Sequence, residues 1–296
     1  VRNVIALATA ALLLILTACG SDDALAIDIE DCEGPPQVTV NDSGAEPREL
    51  MELSPTAGHS AGLDVAITTG VSARRDGEDV PLEAPPTMRF GIELVIENVT
   101  DDEIEMSFVY DDAELGGDLP MDDMLESITG TSGFITTTRS GAFVDGGFMT
   151  EEMDPLLVSM VEQLDQQMVD MTVPFPEEPV GVGAEWQVVS SVDGGGVTFC
   201  NKASYVLTDF DGDAYQLDTE ITQQAIPTTQ GSDTGIDVVG GSGSFTGQSA
   251  GTLSLPIAVS GTSNGTTSVE MKLGYDETET THEYETAVEM EIAPRS

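Results

Sequence analysis

The chain has 296 residues, of which 54 are acidic and 9 basic, for a net charge of −45 at neutral pH. A field of that sign repels nucleic acids and anionic lipid headgroups, so neither is expected as a partner. Lysine is confined to Lys202 and Lys272, a composition that suits saline surroundings, where salt screens self-repulsion.

At the N-terminus, Arg2 precedes the apolar stretch Val4–Leu16. That stretch is too short to span a bilayer comfortably and has the length of a signal-peptide apolar region. It ends in Leu16-Thr17-Ala18-Cys19, which resembles the lipobox of bacterial lipoprotein signals. The resemblance implies removal of residues 1–18 and an acyl-bearing diacylglycerol on the Cys19 thiol, with palmitate a typical chain. The protein is then expected to be exported and held on the outer face of the cell membrane by that lipid. No later run reaches about 18 apolar residues, so no second membrane segment is expected.

Residues 19–56 place Pro35, Pro36, Pro47 and Pro55 among small and acidic residues and read as a flexible tether with an extended lead-in. Residues 57–296 read as one domain. With Cys19 taken by lipid, Cys32 and Cys200 remain, and in an exported chain they are expected to form a disulfide.

Strand-like alternation dominates the domain. Met88, Phe90, Ile92, Leu94 and Ile96 share one face while Arg89, Glu93 and Glu97 share the other; Ile104, Met106, Phe108 and Tyr110 return after a polar turn. Phe134–Arg139 and Ala142–Phe148 read as a hairpin turning at Ser140-Gly141. Tyr205 and Leu207 lead into Asp209-Phe210-Asp211-Gly212-Asp213, and Tyr215, Leu217 and Ile221 come back. Residues 227–251, rich in Gly, Ser and Thr, read as a loop, and Leu253, Leu255, Ile257 and Val259 as an edge strand marked by Pro256. A last hairpin pairs Val269, Met271, Leu273 and Tyr275 with Tyr284, Val288, Met290 and Ile292, the latter alternating with Glu283, Glu285, Glu289 and Glu291.

Two segments carry helical spacing. Asp154-Pro155 forms an N-cap and first turn for a helix over 155–171, with Leu156, Leu157, Met160, Val161, Leu164, Met168 and Met171 on one face. A shorter helix over 119–128 presents Met121, Met124, Leu125 and Ile128. The expected fold is therefore α+β: a curved antiparallel sheet, or half-barrel, covered on its apolar face by one long and one short amphipathic helix.

The order of helix, hairpin at Gly141, helix, then Pro179-Val180-Gly181-Val182-Gly183-Ala184-Glu185-Trp186 and a strand pair with a Gly-Asp turn resembles an uncharacterised family of actinobacterial lipoproteins of unknown function. The resemblance runs from about Ala57 to Ile292. In pattern the architecture is also similar to the half-barrels of periplasmic lipoprotein carriers and of mycobacterial lipid-carrying lipoproteins. Neither likeness carries an assigned functional residue. Trp186, the only tryptophan, reads as a core anchor rather than a ligand-stacking ring.

Candidate chemistry is sparse. Gly58-His59-Ser60-Ala61-Gly62 matches a G-x-S-x-G nucleophile elbow with His282 downstream, yet a strand rather than a helix is expected after Ser60, and the spacing recurs at Gly247–Gly251 and Gly261–Gly265. Asp209, Asp211 and Asp213 resemble half of a calcium loop without its closing glutamate. No zinc spacing and no phosphate-binding glycine loop occur. Met153, Leu157, Met160, Leu164, Met168 and Met171, with Met121 and Met124, are candidates to line an apolar pocket, since methionine adapts to irregular shapes. The expected function is that of a lipid-anchored, non-enzymatic binding protein of the cell envelope, with no cofactor and with a hydrophobic or lipidic ligand. Its alternatives are a weak serine hydrolase using Ser60 and His282, and a protein-interaction scaffold.

Overall fold

The structure is a computed structural model. It describes residues 27, 29–32, 34–82, 85–116, 128–149, 172–194, 196–229, 236–275 and 278–295. Their strands are β1 (Gln37–Asp42), β2 (Ser60–Arg75), β3 (Glu78–Val80), β4 (Met88–Val99), β5 (Glu103–Leu115), β6 (Ser132–Thr138), β7 (Phe143–Phe148), β8 (Glu185–Gly194), β9 (Val197–Phe210), β10 (Ala214–Ala225), β11 (Thr228–Thr229), β12 (Ile236–Thr252), β13 (Ser260–Tyr275) and β14 (Thr278–Arg295). All fourteen lie in one sheet, ordered β1-β8-β9-β10-β12-β13-β14-β2-β4-β5-β6-β7, with β11 beside β12 and β3 beside β2.

Neighbouring strands run antiparallel throughout, and most are joined by short hairpins. Two pairings join strands far apart in the chain: β1 lies beside β8, and β14 inserts beside β2, along a register running from His282–Arg75 to Arg295–Gly62. The hairpins β4–β5, β6–β7, β9–β10 and β13–β14 coincide with the alternating segments of the sequence.

The α+β expectation is overturned. Strands make up 69% of the described residues and helix 1%, so the fold is an antiparallel β structure. The helix expected over 155–171 lies outside the described residues. So does that over 119–128 apart from Ile128, which is buried in the main core.

Among the described residues the apolar face is covered in a different way. One contiguous core joins Ile92, Leu94, Ile104 and Met106 of β4 and β5 to Trp186, Leu207 and Leu217 of β8, β9 and β10. These strands lie toward opposite ends of the sheet order, so the sheet curls and its two flanks share one interior. Three irregular segments fill that interior. They contribute Met51 and Leu53, then Val173, Phe175 and Val180, then Leu253, Leu255 and Ile257, all buried. Their backbones are tied together: Leu53 N–H donates to Arg139 O (2.8 Å), Ser54 N–H to Leu253 O (2.7 Å) and Phe175 N–H to Ser140 O (2.7 Å). Because an unpaired buried peptide group is costly, these bonds are what allow non-regular chain inside the core.

Three local expectations change with this. First, within the proposed tether over 19–56, Gln37–Asp42 is strand β1, paired with β8, and Met51 and Leu53 are core residues. Second, the Gly/Ser/Thr stretch over 227–251 is mostly β12, bonded along its length to β10 and β13. Glycine and serine weaken a strand locally, but ladders on both sides outweigh that preference here. Third, Leu253–Val259 is a buried turn rather than an edge strand. Leu253, Leu255 and Ile257 are buried in the main core, with Val259 partly buried against it.

The sequence Pro179–Trp186 forms the corner that starts β8. Gly181 donates its N–H to Ser43 O (2.9 Å) and packs so close to Ala45 and Pro47 that a side chain there would collide with their carbonyl oxygens. Gly183 has φ +85°, a conformation open to glycine at little cost. Trp186 is fully buried; its indole N–H donates to Pro174 O (3.0 Å) and its ring stacks on Tyr205 (5.4 Å between centroids, 18°).

Candidate functional site

The inner face of β9–β10–β12–β13–β14–β2 can be read row by row from the strand registers. One row contains Asn201, Gln223, Gly243, Thr267, Thr286 and Val71. The next contains Ala203, Ile221, Phe245, Gly265, Val288 and Thr69, and the one after it Tyr205, Thr219, Gly247, Ser263, Met290 and Ile67. The last contains Leu207, Leu217, Ser249, Gly261, Ile292 and Val65. On β12 and β13 nearly every inward position in these rows is Gly, Ser or Thr. Flanking strands bring large side chains and the two central strands, apart from Phe245, do not, so the face is hollow where they run.

A cavity of about 270 Å³ occupies that hollow. Ile67, Ile221, Phe245, Val288, Met290 and Ile292 form its apolar walls, and Thr172, Val173 and Ala258 from the interior segments close one side. Those segments meet in a backbone bridge between Thr172 and Ile257. No charged residue is among the described residues that line the cavity, in a chain with 54 acidic residues. Its size is close to the lower limit for small-molecule sites, and Thr219, Gln223, Gln248, Ser249, Thr262 and Ser263 put polar groups on the wall beside the apolar ones.

Two glycines set its shape. Phe245 lies over Gly265, where any side chain would run into the ring. Gly243 lets two neighbours meet: the Thr267 hydroxyl donates to Gln223 Oε1 (3.0 Å) across it, and a Cβ at Gly243 would lie 2.7 Å from Thr267 Oγ1 and 2.8 Å from Gln223 Oε1. Asn201, beside Gln223 in register, is 7% exposed, and its Oδ1 has no hydrogen-bond partner among the described residues.

Behind the cavity, Tyr205 is backed by Trp186, whose bond to Pro174 positions the Thr172–Val173 side. Tyr215 is buried below it, edge-on to Phe175 (5.1 Å, 79°), and burial pushes its phenol well above the usual tyrosine range.

The sequence-derived candidates fall elsewhere. Cys19 and the eight proposed lining residues (Met121, Met124, Met153, Leu157, Met160, Leu164, Met168 and Met171) lie outside the described residues. Cys32 and Cys200 are joined as a disulfide with Cα atoms 5.6 Å apart, a spacing normal for one. It packs with Ile27, Val189 and Ile226 in a small cluster of its own. Ser60 begins β2, while His282 lies opposite Arg75 at the end of that strand. Fifteen residues at about 3.3 Å each put them roughly 50 Å apart along it, so they form no catalytic pair. His282 is instead buried, its Nε2 3.1 Å from Thr280 Oγ1 and its ring against Tyr284. Asp211 Oδ1 accepts from the N–H groups of Asp213 (3.1 Å) and Ala214 (2.9 Å). Those bonds hold its carboxyl below the ordinary range, and they make the Asp209–Asp213 stretch a hairpin turn. No cluster of metal-ligating side chains occurs among the described residues.

Asn201, Gln223, Phe245 and the small inward residues of β12 and β13 went unnoticed in the sequence reading. Their signal was there: Gly241, Gly243, Gly247 and Gly251, then Gly261 and Gly265, recur at even spacing, which on a strand empties a single face.

Comparison with known proteins gives little. No protein-family model matches the chain, and no curated protein matches it. Among solved structures, an outer membrane channel from Pseudomonas putida F1 aligns over 81% of this chain and 97% of its own, with 8% identity and a TM-score of 0.16. At that score the likeness carries no argument.

Proposed function

We propose that the protein is a lipid-anchored, non-enzymatic component of the cell envelope that holds a hydrophobic or lipidic ligand in the cavity between β9–β10, β12–β13 and β14–β2. The observation that carries this reading is a cavity of about 270 Å³, with no charge among its described lining residues, inside a chain of net charge −45. Filling such a hollow with larger side chains is energetically easy, since each buried methylene stabilises a fold by about 0.8 kcal/mol. A sheet that places glycine and serine at those positions forgoes that stability, which is the usual signature of space kept for something else.

Anchoring rests on the lipobox. Cys19 precedes Cys32 by 13 residues, so even a fully extended chain would keep the disulfide within about 45 Å of the lipid. A pocket for an apolar molecule is then close to the membrane from which such molecules come.

Native mass spectrometry and organic extraction of the full chain purified from its membranes test the proposal. A stoichiometric apolar species should copurify. If nothing copurifies, and if neither fatty acid nor acylglycerol probes bind, the proposal fails.

A further inference from the structure

Resting on the reading just given, we propose that Phe245 sets the size of the ligand: its ring ends the cavity along β12 and β13, and an apolar ligand stops against it. Phe245 is the one large side chain among the inward positions of the four rows on these two strands. Its ring lies over Gly265, where a side chain would occupy the same space. The neighbouring wall residues Ile221, Val288 and Met290 pack against the main core. Phe245 is half-buried and joins none of the three apolar clusters among the described residues. Its ring therefore keeps apolar surface toward the cavity, and covering that surface favours an apolar ligand.

The residues around the cavity place this ring at an end of it. Before the ring, Gly247 and Ser249 of β12 and Gly261 and Ser263 of β13 line the space. Beneath and past it on the same strands come Gly265, Gly243 and Thr267, and none of these three is a lining residue. What occupies the place over Gly265 is the ring itself. Further along, the same end of the sheet is closed by a second apolar cluster, in which Val197, Phe199, Ala225 and Val238 are buried. A ligand that reaches Phe245 is thus at a blind end, and removing the ring lengthens the cavity over Gly265 toward Gly243 and Thr267. Packed interiors respond to a change of one methylene, so a ring at a blind end discriminates ligands by length.

The experiment uses the full chain in phosphatidylcholine vesicles with straight-chain 1-alkanols of about 8, 12 and 16 carbons, each with a diazirine at the far end of its chain. Cross-linked residues are mapped by mass spectrometry. Labelling of the cavity is compared as the ratio of variant to wild type, in which partitioning into the vesicle cancels. In the wild-type protein the label should fall on Phe245 and spare Gly243 and Thr267. In Phe245→Ala it should move on to Thr267. The ratio should then rise about tenfold from the shortest to the longest probe, as chain fills the space of the lost ring. Phe245→Leu should give a smaller rise. Wild-type labelling of Thr267, or labelling of the cavity that spares Phe245, overturns the inference whether or not the variants fold, and leaves the cavity reading standing. A ratio independent of chain length in a folded variant does the same. No labelling of the cavity by any probe overturns both.

Discussion

The Arg295 guanidinium reaches Asp111 by crossing over the backbone of Gly91. Arg295 is on β14 and Asp111 on β5, with β2 and β4 between them. Arg295 Nη1 lies 2.6 and 2.7 Å from the two Asp111 oxygens, and its Nε donates to Asp64 Oδ1 on β2 (2.8 Å). A side chain at position 91 would occupy the space of the guanidinium. One cation therefore ties together three strands and crosses a fourth at the place where the C-terminal strand joins the N-terminal half, and the two carboxylates hold its own pKa above the ordinary value.

Gly91→Ala should displace Arg295 and break these bonds. The expected loss is about 1–3 kcal/mol, from overpacking together with the lost ion pairs. Urea denaturation checks it. Arg295→Gln should cost less, about 1 kcal/mol, because the backbone at Gly91 remains unhindered. If Gly91→Ala is as stable as wild type, the crossing has no structural role.

Filling the hollow separates binding from folding. Ser263 faces inward between Gly247 and Met290 and lines the cavity. Ser263→Leu should lower binding of an apolar probe at least tenfold while leaving the melting temperature unchanged or raised, since added methylenes bury apolar surface. Ligand arrival is readable from the single tryptophan, because Trp186 stacks on Tyr205 of the cavity wall. Undiminished binding by the variant would place the ligand elsewhere.

The buried Tyr215 phenol titrates higher in the folded protein than in the unfolded chain. The unfolded state therefore loses this proton first. The stabilisation is complete below about pH 10, the ordinary tyrosine value, and is lost as pH rises above it. Urea midpoints followed by circular dichroism should fall between about pH 9 and pH 11, and Tyr215→Phe should flatten that fall. An equal fall in the variant would assign the alkaline sensitivity to other groups.

Outward positions of β14 carry Glu283, Glu285, Glu289 and Glu291, all exposed. Of these, Glu283 has an arginine within 4 Å, Arg74 at 3.8 Å. Positions two apart on a strand are about 7 Å apart, inside the screening length at 0.1 M salt and outside it at 1 M. The melting temperature should accordingly rise by several degrees as sodium chloride increases from about 0.05 to 1 M. Glu289→Lys should raise the low-salt value and reduce the salt dependence. A melting temperature indifferent to salt would mean that self-repulsion is already neutralised.

The hairpins were legible because one wet face forces strict alternation: Ile92, Leu94 and Ile96 inward, Glu93 and Glu97 outward. The same rule failed for Leu253–Val259, where Leu253, Leu255, Pro256, Ile257 and Ala258 are all buried and neighbouring positions do not alternate between core and water. It failed for β12 because composition there describes a single strand, whereas the ladder that holds it comes from residues tens of positions away on either side.

Composition, charge and the alternation of each hairpin were determined by the sequence alone, because each depends on residues close together in the chain. The order of the strands, the insertion of β14 beside β2, the curl that brings Trp186 and Leu94 into one core, and the hollow over β12 and β13 were decided only in three dimensions. Those features depend on which strand lies next to which, and a small inward residue becomes a cavity wall only when its neighbours are small as well.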